Sequence, residues 1–257
     1  MVGDGRGAIA RPRRAAYVHQ AAHVDREPEV EELAAATGAP VDRLLRADPL
    51  VRLALAAIAR LQAMTGPLAG AGVIVGTALA TLETNALFAA RIRERGARAA
   101  EPRRFPYTSP NAVAGECSIV FRMTGPSFSV GGGMHAGIEA LAAAALLVEG
   151  GDADRVVVVS VDDVGPATIA LGETSLRAGA VAVLLASTPL AGARARVGAI
   201  ELRRGSAVDG AHGRHQAGGP HAGGHHALLP LLQPEIPREL VGASPPDAFA
   251  RVVLDPV

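Results

Sequence analysis

The sequence contains no lysine, although it has 25 basic residues, all of them arginine. Enzymes that form a Schiff base, that bind pyridoxal phosphate covalently, or that hold nucleotide phosphates in a Walker A loop need a lysine amine. The absence of that amine excludes these three classes of function.

Cysteine and aromatic residues are scarce as well. Cys117 is the single cysteine, so the chain forms no internal disulfide, and we expect it in a reducing cytoplasm. Aromatic residues make up 3% of a chain that is 49% hydrophobic. The core must therefore be built from Ala, Val and Leu.

Charge of one sign and long apolar runs are also missing. The formal net charge is zero, which removes the electrostatic argument for binding nucleic acid or an anionic membrane surface. The most apolar runs, "LVRLALAAIARL" and "ALAAAALLV", are too short or too interrupted to span a bilayer. The beginning, "MVGDGRGAIARPRR", lacks the apolar stretch of a secretory signal. We expect a globular protein without membrane insertion.

Strand-like and helix-like segments alternate along most of the chain. Apolar runs at 73–75, in "RVVVVSVDD" and in "AGAVAVLLAS" predict buried strands, and "DPLVRLALAAIARLQAMTG" predicts a helix capped by Asp48. Weaker strands are predicted in "AAYVHQAAHV", "SFSV", "ARVGAIELRR" and "FARVVLDPV", and a short helix broken by prolines in "ALLPLLQPEIPREL". The alternation predicts an α/β fold with a central, mostly parallel or mixed sheet flanked by helices.

Composition divides the chain into four parts. We predict a flexible Gly/Arg tail at 1–14, a main domain at 15–204, a Gly/His-rich loop at 205–226, and a C-terminal extension at 227–257 that packs on the same domain. The tract at 212–226 holds five of the eight histidines, a composition that can bind a divalent metal weakly. Because Asp209 is the only acidic residue nearby, we interpret the tract as a solvated linker and expect no metal.

The stretch "GPSFSVGGGMHAGIEALAAAALLVEGG" places three glycines between a strand and an Ala-rich helix. One interpretation is a dinucleotide cradle, in which backbone N–H groups near Gly131, Gly133 and Gly137 meet a pyrophosphate and Asp162 binds a ribose hydroxyl. The spacing G-x-G-x-x-x-G differs from the usual fingerprint, and Asp162 lies further along the chain than the roughly 20 residues expected. A nucleotide-binding oxidoreductase stays open as an alternative.

A second interpretation depends on an ordered series of motifs. "PNAVAGECSIVFRMTGPSFSVGGGMHAGIEAL" has Pro-Asn before a helix, a Gly-Pro pair, a short strand, a small-residue turn and an Ala-rich helix. Upstream, "GVIVGTALATLE" adds a strand and a small-residue turn. This series resembles the N-terminal half of a β-ketoacyl synthase, and weaker likeness extends it to about residues 45–190. The resemblance implies a thiolase-like layered fold, of which this chain holds the N-terminal half only.

In that register Met134 stands where the family has its nucleophilic cysteine. A cysteine there is activated by the helix N-terminus, whereas a thioether has no proton to lose and forms no acyl ester. Neither neighbour replaces it: we interpret Cys117 as a core residue, and His135 as a polar or partner-facing histidine rather than a catalytic base. The resemblance also calls for two histidines and a lysine from a C-terminal half, and their signature is absent.

Relatives without the cysteine include chain length factors, which pair with an active synthase and shape the acyl tunnel. The resemblance therefore implies a non-catalytic subunit of type II polyketide, aryl-polyene or fatty-acid-like biosynthesis, without a cofactor. Its partners would be an active β-ketoacyl synthase or a second copy of itself, and an acyl carrier protein. A residual malonyl decarboxylase is a further alternative.

The resemblance also implies where a partner would bind. A half-fold is expected to leave a hydrophobic layer and a strand edge exposed, and a partner subunit would cover both. The implied tunnel and interface candidates are Leu79, Asn111, Ser127, Phe128, Ser129, Val130 and Gly133. An alternative interpretation of Leu79 is a core leucine.

Overall fold

The computed structural model describes residues 14–131, 133–173, 176–189, 192–203, 224–244 and 248–257. The predicted tail, apart from Arg14, and the predicted Gly/His-rich loop up to residue 223 lie outside the described residues. No helix in these ranges is long and apolar enough to cross a bilayer.

The described chain alternates strands and helices. The strands are Tyr17–Val24 (β1), Gly72–Thr77 (β2), Ser127–Gly131 (β3), Arg155–Asp162 (β4), Gly179–Ala186 (β5), Ala195–Arg203 (β6), Glu239–Ser244 (β7) and Ala248–Pro256 (β8). The α-helices are Val30–Thr37 (α1), Val41–Arg46 (α2), Pro49–Thr65 (α3), Leu82–Arg95 (α4), Asn111–Phe121 (α5), Ala136–Gly150 (α6) and Pro166–Ala170 (α7). Short 3₁₀ helices cover Ala97–Ala99, Phe105–Thr108 and Gly224–Leu232.

All of these strands belong to one sheet, in the order β3-β2-β4-β5-β1-β6-β8-β7. Parallel pairing is confined to β2, which pairs with β3 on one side and β4 on the other. The remaining pairs, from β4 with β5 through β7 with β8, are antiparallel. The sheet is therefore mixed, one of the two predicted forms, and mostly antiparallel rather than mostly parallel. Its parallel part is the part that leads into the glycine-rich turn.

Helices cover the sheet on both faces. On one face α3 packs against β1, β4 and β5 and also contacts α5. The carboxylate of Asp48 caps α3 by accepting the Leu50 N–H at 3.1 Å, as the sequence predicted. On the other face lies α6, which packs against β2 and β4.

Small residues bring α6 very close to the sheet. A Cβ on Gly76 of β2 would lie 2.4 Å from the carbonyl oxygen of Ala136. A Cβ on Gly137 would lie 2.4 Å from the hydroxyl oxygen of Ser160 on β4. The glycines and alanines of this region are therefore required by the distance between helix and sheet.

The C-terminal elements differ from the sequence prediction. The sequence "ALLPLLQPEIPREL" predicts a helix broken by prolines, whereas the structure has a 3₁₀ helix that ends at Leu232 and a strand, β7, that begins at Glu239. The strand was missed because "ELVGAS" is short and contains a glycine. β8, in contrast, follows the predicted "FARVVLDPV" closely.

α6 is not the hydrophobic layer that a half-fold is expected to leave exposed. Ten of its residues are buried, and most of these share one core cluster with Ala227, Leu228 and Leu231 and with side chains of β6, β7 and β8, whereas Leu146 is exposed. The chain therefore covers this helix with its own C-terminal elements.

Candidate functional site

The turn between β3 and α6 contains Met134, the residue that stands at the predicted nucleophile position. Gly133 has a φ of 121°, a conformation that favours glycine, and its N–H donates to the carbonyl of Ala78 at 3.1 Å. Half-buried Met134 follows, and its carbonyl accepts the N–H of Gly224 at 2.9 Å. The structure thus places Met134 immediately before His135, the N-cap residue of α6, which begins at Ala136.

His135 is the N-terminal cap residue of α6, and its carbonyl accepts the N–H groups of Ile138 and Glu139. Its side chain is 1% exposed, and Nε2 lies 3.3 Å from a carboxylate oxygen of Glu139. A Cβ on Gly242 of β7 would lie 2.8 Å from the Cβ of His135. His135 therefore faces its own chain, so of the polar or partner-facing histidine that the sequence predicts, the structure shows a buried polar residue beside Glu139.

Cys117 is confirmed as a core residue. It is buried in the cluster between α3 and α5, and burial, together with the charge of Glu116, raises the pKa of its thiol. A buried thiol with a raised pKa forms little thiolate and is a poor nucleophile.

Asp162, at the end of β4, does not take the role that a dinucleotide site requires. Its side chain is 2% exposed. One carboxylate oxygen accepts the N–H of Ala78 at 2.8 Å, and the other accepts the N–H of His225 at 2.5 Å. No ribose hydroxyl can reach a carboxylate that is enclosed by its own chain, so the structure does not support the nucleotide-binding alternative.

Leu79 lies in the turn that joins β2 to α4. The next residue, Ala80, has a φ of 51°, which is uncommon for a residue with a side chain. The half-buried Leu79 lines a small recess together with Asp48, Leu50, Ala80, Thr81, Leu82, Glu83, Thr84 and Asp163.

A cleft of about 710 Å³ adjoins this recess. Asp48, Glu83, Thr84 and Asp163 line both the recess and the cleft. The remaining wall is amphipathic and includes Leu45, Arg46, Arg52, Leu87, Glu101, Pro102, Arg103, Arg104 and Tyr107. Sequence reasoning missed this cleft, because its residues come from segments far apart in the chain.

The pKa values of Asp163 and Glu83, which line the cleft, are shifted in opposite directions. Burial raises the pKa of Asp163, and the nearby Asp48 and Glu83 add to the rise. Burial also acts to raise the pKa of Glu83, but hydrogen bonds to the hydroxyl and N–H of Thr168 and to the N–H groups of Ala167 and Gly165 outweigh it, so this pKa is lowered. Glu83 on α4 thereby holds the start of α7.

β3 is the terminal strand of the sheet, and its free edge has polar contacts to α5. The N–H of Ser129 donates to Oδ1 of Asn111 at 2.8 Å, and the Ser129 hydroxyl donates to the carbonyl of Pro110 at 2.8 Å. Ser127 is exposed, and Phe128, Ser129 and Val130 are half-buried. The structure thus brings Asn111 and β3 together, while Leu79 lies in the turn after β2 and lines the recess beside the cleft.

Two histidines of the Gly/His tract fall within the described residues. His225 is buried, stacks on His23 with ring centroids 5.9 Å apart, and lies next to His226. Among the residues that the structure describes, no group of three His, Cys, Asp or Glu side chains is arranged to hold a metal ion.

The comparisons with known proteins agree on the fold. The ishigamide ketosynthase/chain length factor is 22% identical, covers 74% of this chain and 67% of its own, and has a TM-score of 0.57. A ketosynthase in complex with its chain length factor from Xenorhabdus doucetiae is 17% identical over 92% of this chain and 98% of its own, with a TM-score of 0.62. A type II PKS acyl-carrier protein in complex with its ketosynthase bound to the hexaketide is 16% identical over 74% and 69%, with a TM-score of 0.59.

No curated protein matches the sequence. The family model described as "Beta-ketoacyl synthase, N-terminal domain" matches residues 11–180, which is well over half of the chain. This match and the mixed sheet between helix layers confirm the predicted thiolase-like α/β fold. The chain belongs to the β-ketoacyl synthase N-terminal domain family.

Proposed function

We propose that this protein is a non-catalytic, chain length factor-like subunit that pairs with an active β-ketoacyl synthase and shapes its acyl tunnel. The observation that carries the proposal is Met134 at the start of α6 in a chain of this family. Acyl transfer needs a group that can ionise and form an ester, and a thioether does neither. The absence of lysine removes a second group that condensation in this family uses.

The similar solved structures support a pairing role. Two of the three are a ketosynthase with its chain length factor, and the third joins a ketosynthase to an acyl-carrier protein. We infer the same classes of partner here: an active synthase, or a second copy of this chain, and an acyl carrier protein.

The free edge of β3 supplies the strand for pairing. A terminal strand has unpaired backbone N–H and C=O groups along one side, and a strand from another subunit can bind them. The N–H of Ser129 lies on that side, because it reaches Asn111 rather than β2. The roles of Asn111, Ser127, Phe128, Ser129 and Val130 in this interface are part of the proposal.

Apolar side chains extend this surface. Thr84 is the only buried residue of α4, all of which the structure describes, while Leu87 is 57% and Phe105 is 63% exposed. The rings of Phe88 and Phe105 lie 6.1 Å apart. The 3₁₀ helix that contains Phe105 ends three residues before α5, which contacts β3. A partner at the β3 edge can therefore also cover these side chains, which a monomer leaves in water.

Leu79 is the residue that we assign to the tunnel. It lines the recess that adjoins the cleft, so its side chain can limit how far an apolar chain extends. A leucine side chain can limit the chain by steric contact alone, so this role fits a subunit without a nucleophile. Gly133 supports the same site through its bond to Ala78.

The arginines of the cleft suit an acidic carrier protein. Arg103 lines the cleft together with Arg46 and Arg104, which also pair with Asp42 and Glu101 of the same chain. Guanidinium groups bind carboxylates and phosphates in well-defined geometry. We assign this face to the acyl carrier protein and place the complex in the cytoplasm.

The test is to co-express the chain with its cognate synthase and to compare Ser129→Pro with Ser129→Ala. Proline removes the Ser129 N–H, one of the donors on the free side of β3, which Asn111 accepts in the single chain and which we propose a partner strand accepts in the pair. We expect Ser129→Pro to abolish co-purification and to change the product lengths, whereas Ser129→Ala, which keeps the N–H, pairs as the wild type does.

Two results would overturn the proposal. One is failure of the wild-type chain to associate with the synthase, combined with normal product length in its absence. The other is catalysis by the chain alone, which includes release of carbon dioxide from a malonyl carrier protein. Circular dichroism of Ser129→Pro separates a lost interface from a lost fold.

A further inference from the structure

The side chain of Asp162 accepts hydrogen bonds from two separate segments of the chain. Its Oδ1 accepts the N–H of Ala78 at 2.8 Å and lies 3.4 Å from the hydroxyl of Thr77. Its Oδ2 accepts the N–H of His225 at 2.5 Å. One buried carboxylate therefore joins the turn after β2 to the segment 224–232, which we call the closing segment.

The turn after β2 is held through both backbone polar groups of Ala78. The N–H of Ala78 binds Asp162, and the carbonyl of Ala78 accepts the N–H of Gly133. Ala80 keeps a φ of 51° two residues later. A strained conformation of this kind persists only where its surroundings fix it, so Leu79, between these residues, takes its position from them.

The closing segment is fixed by the same carboxylate. The N–H of Gly224 donates to the carbonyl of Met134, and its carbonyl lies 3.4 Å from the hydroxyl of Ser160. Gly224 has a φ of 62°, and a Cβ there would lie 2.4 Å from Oδ2 of Asp162. Only glycine fits this approach, and Leu228 and Leu231 then bury the segment in the core.

We propose that Asp162 is a positioning residue that couples the closing segment to the Leu79 turn and so sets the depth of the acyl tunnel. The inference rests on the proposed function, because it assigns Leu79 to the tunnel. It adds that residues 224–232, which do not line the recess or the cleft, determine product length through Asp162.

The chemistry of the contact requires a carboxylate. The two oxygens of Asp162 accept from two backbone donors that belong to different segments. An asparagine side chain has one carbonyl oxygen and one NH₂ group. Its NH₂ group would therefore face one of the two backbone N–H donors, and two donors cannot form a hydrogen bond. A buried donor without an acceptor is destabilising, so the bond to the turn or the bond to the closing segment is lost.

The experiment uses Asp162→Asn, Gly224→Ala, the control Ser160→Ala, and Leu79→Ala as the reference for a changed tunnel. Ser160 lies on the same strand and face as Asp162 and is also buried, but its hydroxyl lies beside the closing segment and not beside the Leu79 turn. Each full-length variant is examined by amide hydrogen exchange, alone, and by product analysis after co-expression with the cognate synthase.

We expect Asp162→Asn to raise exchange in the peptides that contain Ala78 and His225, by about tenfold or more in at least one of them. Gly224→Ala, whose change lies in the closing segment, raises exchange at Ala78 as well, because its new methyl group displaces the carboxylate. Both variants still bind the synthase and shift the product lengths in the direction that Leu79→Ala does. Ser160→Ala leaves the exchange at Ala78 and the product lengths unchanged.

The proposal is wrong if Gly224→Ala leaves Ala78 protected, because the two segments are then not coupled. It is also wrong if the Asp162→Asn pair assembles and makes products of wild-type length. Failure of the wild-type chain to bind the synthase would instead remove the proposed function, and the exchange experiment would still decide whether Asp162 couples the two segments.

Discussion

At the scale of single residues, the molecule is defined by Met134. It occupies the start of a helix that is long enough to lower the pKa of a thiol there, yet it presents a thioether. The sequence could predict this, because a strand, a small-residue turn and an Ala-rich helix are adjacent in the chain. The sequence could not show that His135 is enclosed by Gly242, because those residues meet only through the sheet.

Met134→Cys tests whether the site retains the geometry for a nucleophile. We expect the introduced thiol to react with iodoacetamide at pH 7 much faster than Cys117, because Met134 is half-buried at a helix N-terminus whereas burial raises the pKa of Cys117. Peptide mass spectrometry measures both sites in one sample, with the wild type as control. Equal and slow labelling of the two thiols would show that the site is closed.

The same variant should not gain condensing activity, since the chain still has no lysine. We expect no condensation product above the wild-type level from a malonyl carrier protein and an acyl donor. Turnover by Met134→Cys would contradict our account of what the chain lacks.

At the scale of elements, close packing decides which glycines are required. Gly76→Ala places a methyl group 2.4 Å from the Ala136 carbonyl, within backbone that has little freedom to move. We expect a loss of about 1–3 kcal/mol or more in the free energy of unfolding, measured by urea denaturation. Gly115→Ala in α5 is the matched control: a Cβ there meets nothing within 4 Å, and alanine stabilises a helix by about 0.5–1 kcal/mol. Equal effects of the two changes would contradict the packing of α6 on β2.

The contact between α4 and α7 predicts a dependence on pH. Hydrogen bonds from Thr168, Ala167 and Gly165 lower the pKa of Glu83, although burial acts in the opposite direction. The stabilisation is therefore present above the ordinary pKa of 4.5 and is lost as the pH falls through the lowered value. We expect hydrogen exchange at 165–168 to rise in acid, after correction for its intrinsic pH dependence, and Glu83→Gln to show part of that rise already at pH 7. If the amides of 165–168 in Glu83→Gln exchange at pH 7 as slowly as in the wild type, this role of Glu83 is contradicted.

The elements themselves show where sequence reasoning works. "RVVVVSVDD" could only be a buried strand, and Asp48-Pro49 marks the start of α3, so both are confirmed. β7 could not be predicted, because its sequence is short and it forms a strand by pairing with β8. The cleft was missed for a similar reason, because arginines from α2 and from 103–104 become neighbours only after folding.

At the scale of the whole molecule, the chain buries α6 under its own C-terminal elements and leaves the edge of β3 and apolar side chains near α4 exposed. Its C-terminal elements cover α6, so the need to bury that helix gives no reason for a partner. The reasons that remain are the free edge of β3 and the exposed apolar side chains near α4. We therefore expect the partner to bind at the β3 edge and the apolar side chains near α4, and not to cover α6.

The most direct test of this account is native mass spectrometry of the chain with its cognate synthase after incubation with an acyl carrier substrate. The account predicts a complex of one chain of each kind, with the acyl group attached to the synthase subunit alone. A covalent acyl group on this chain, or a chain that stays unpaired beside an active synthase, would contradict it.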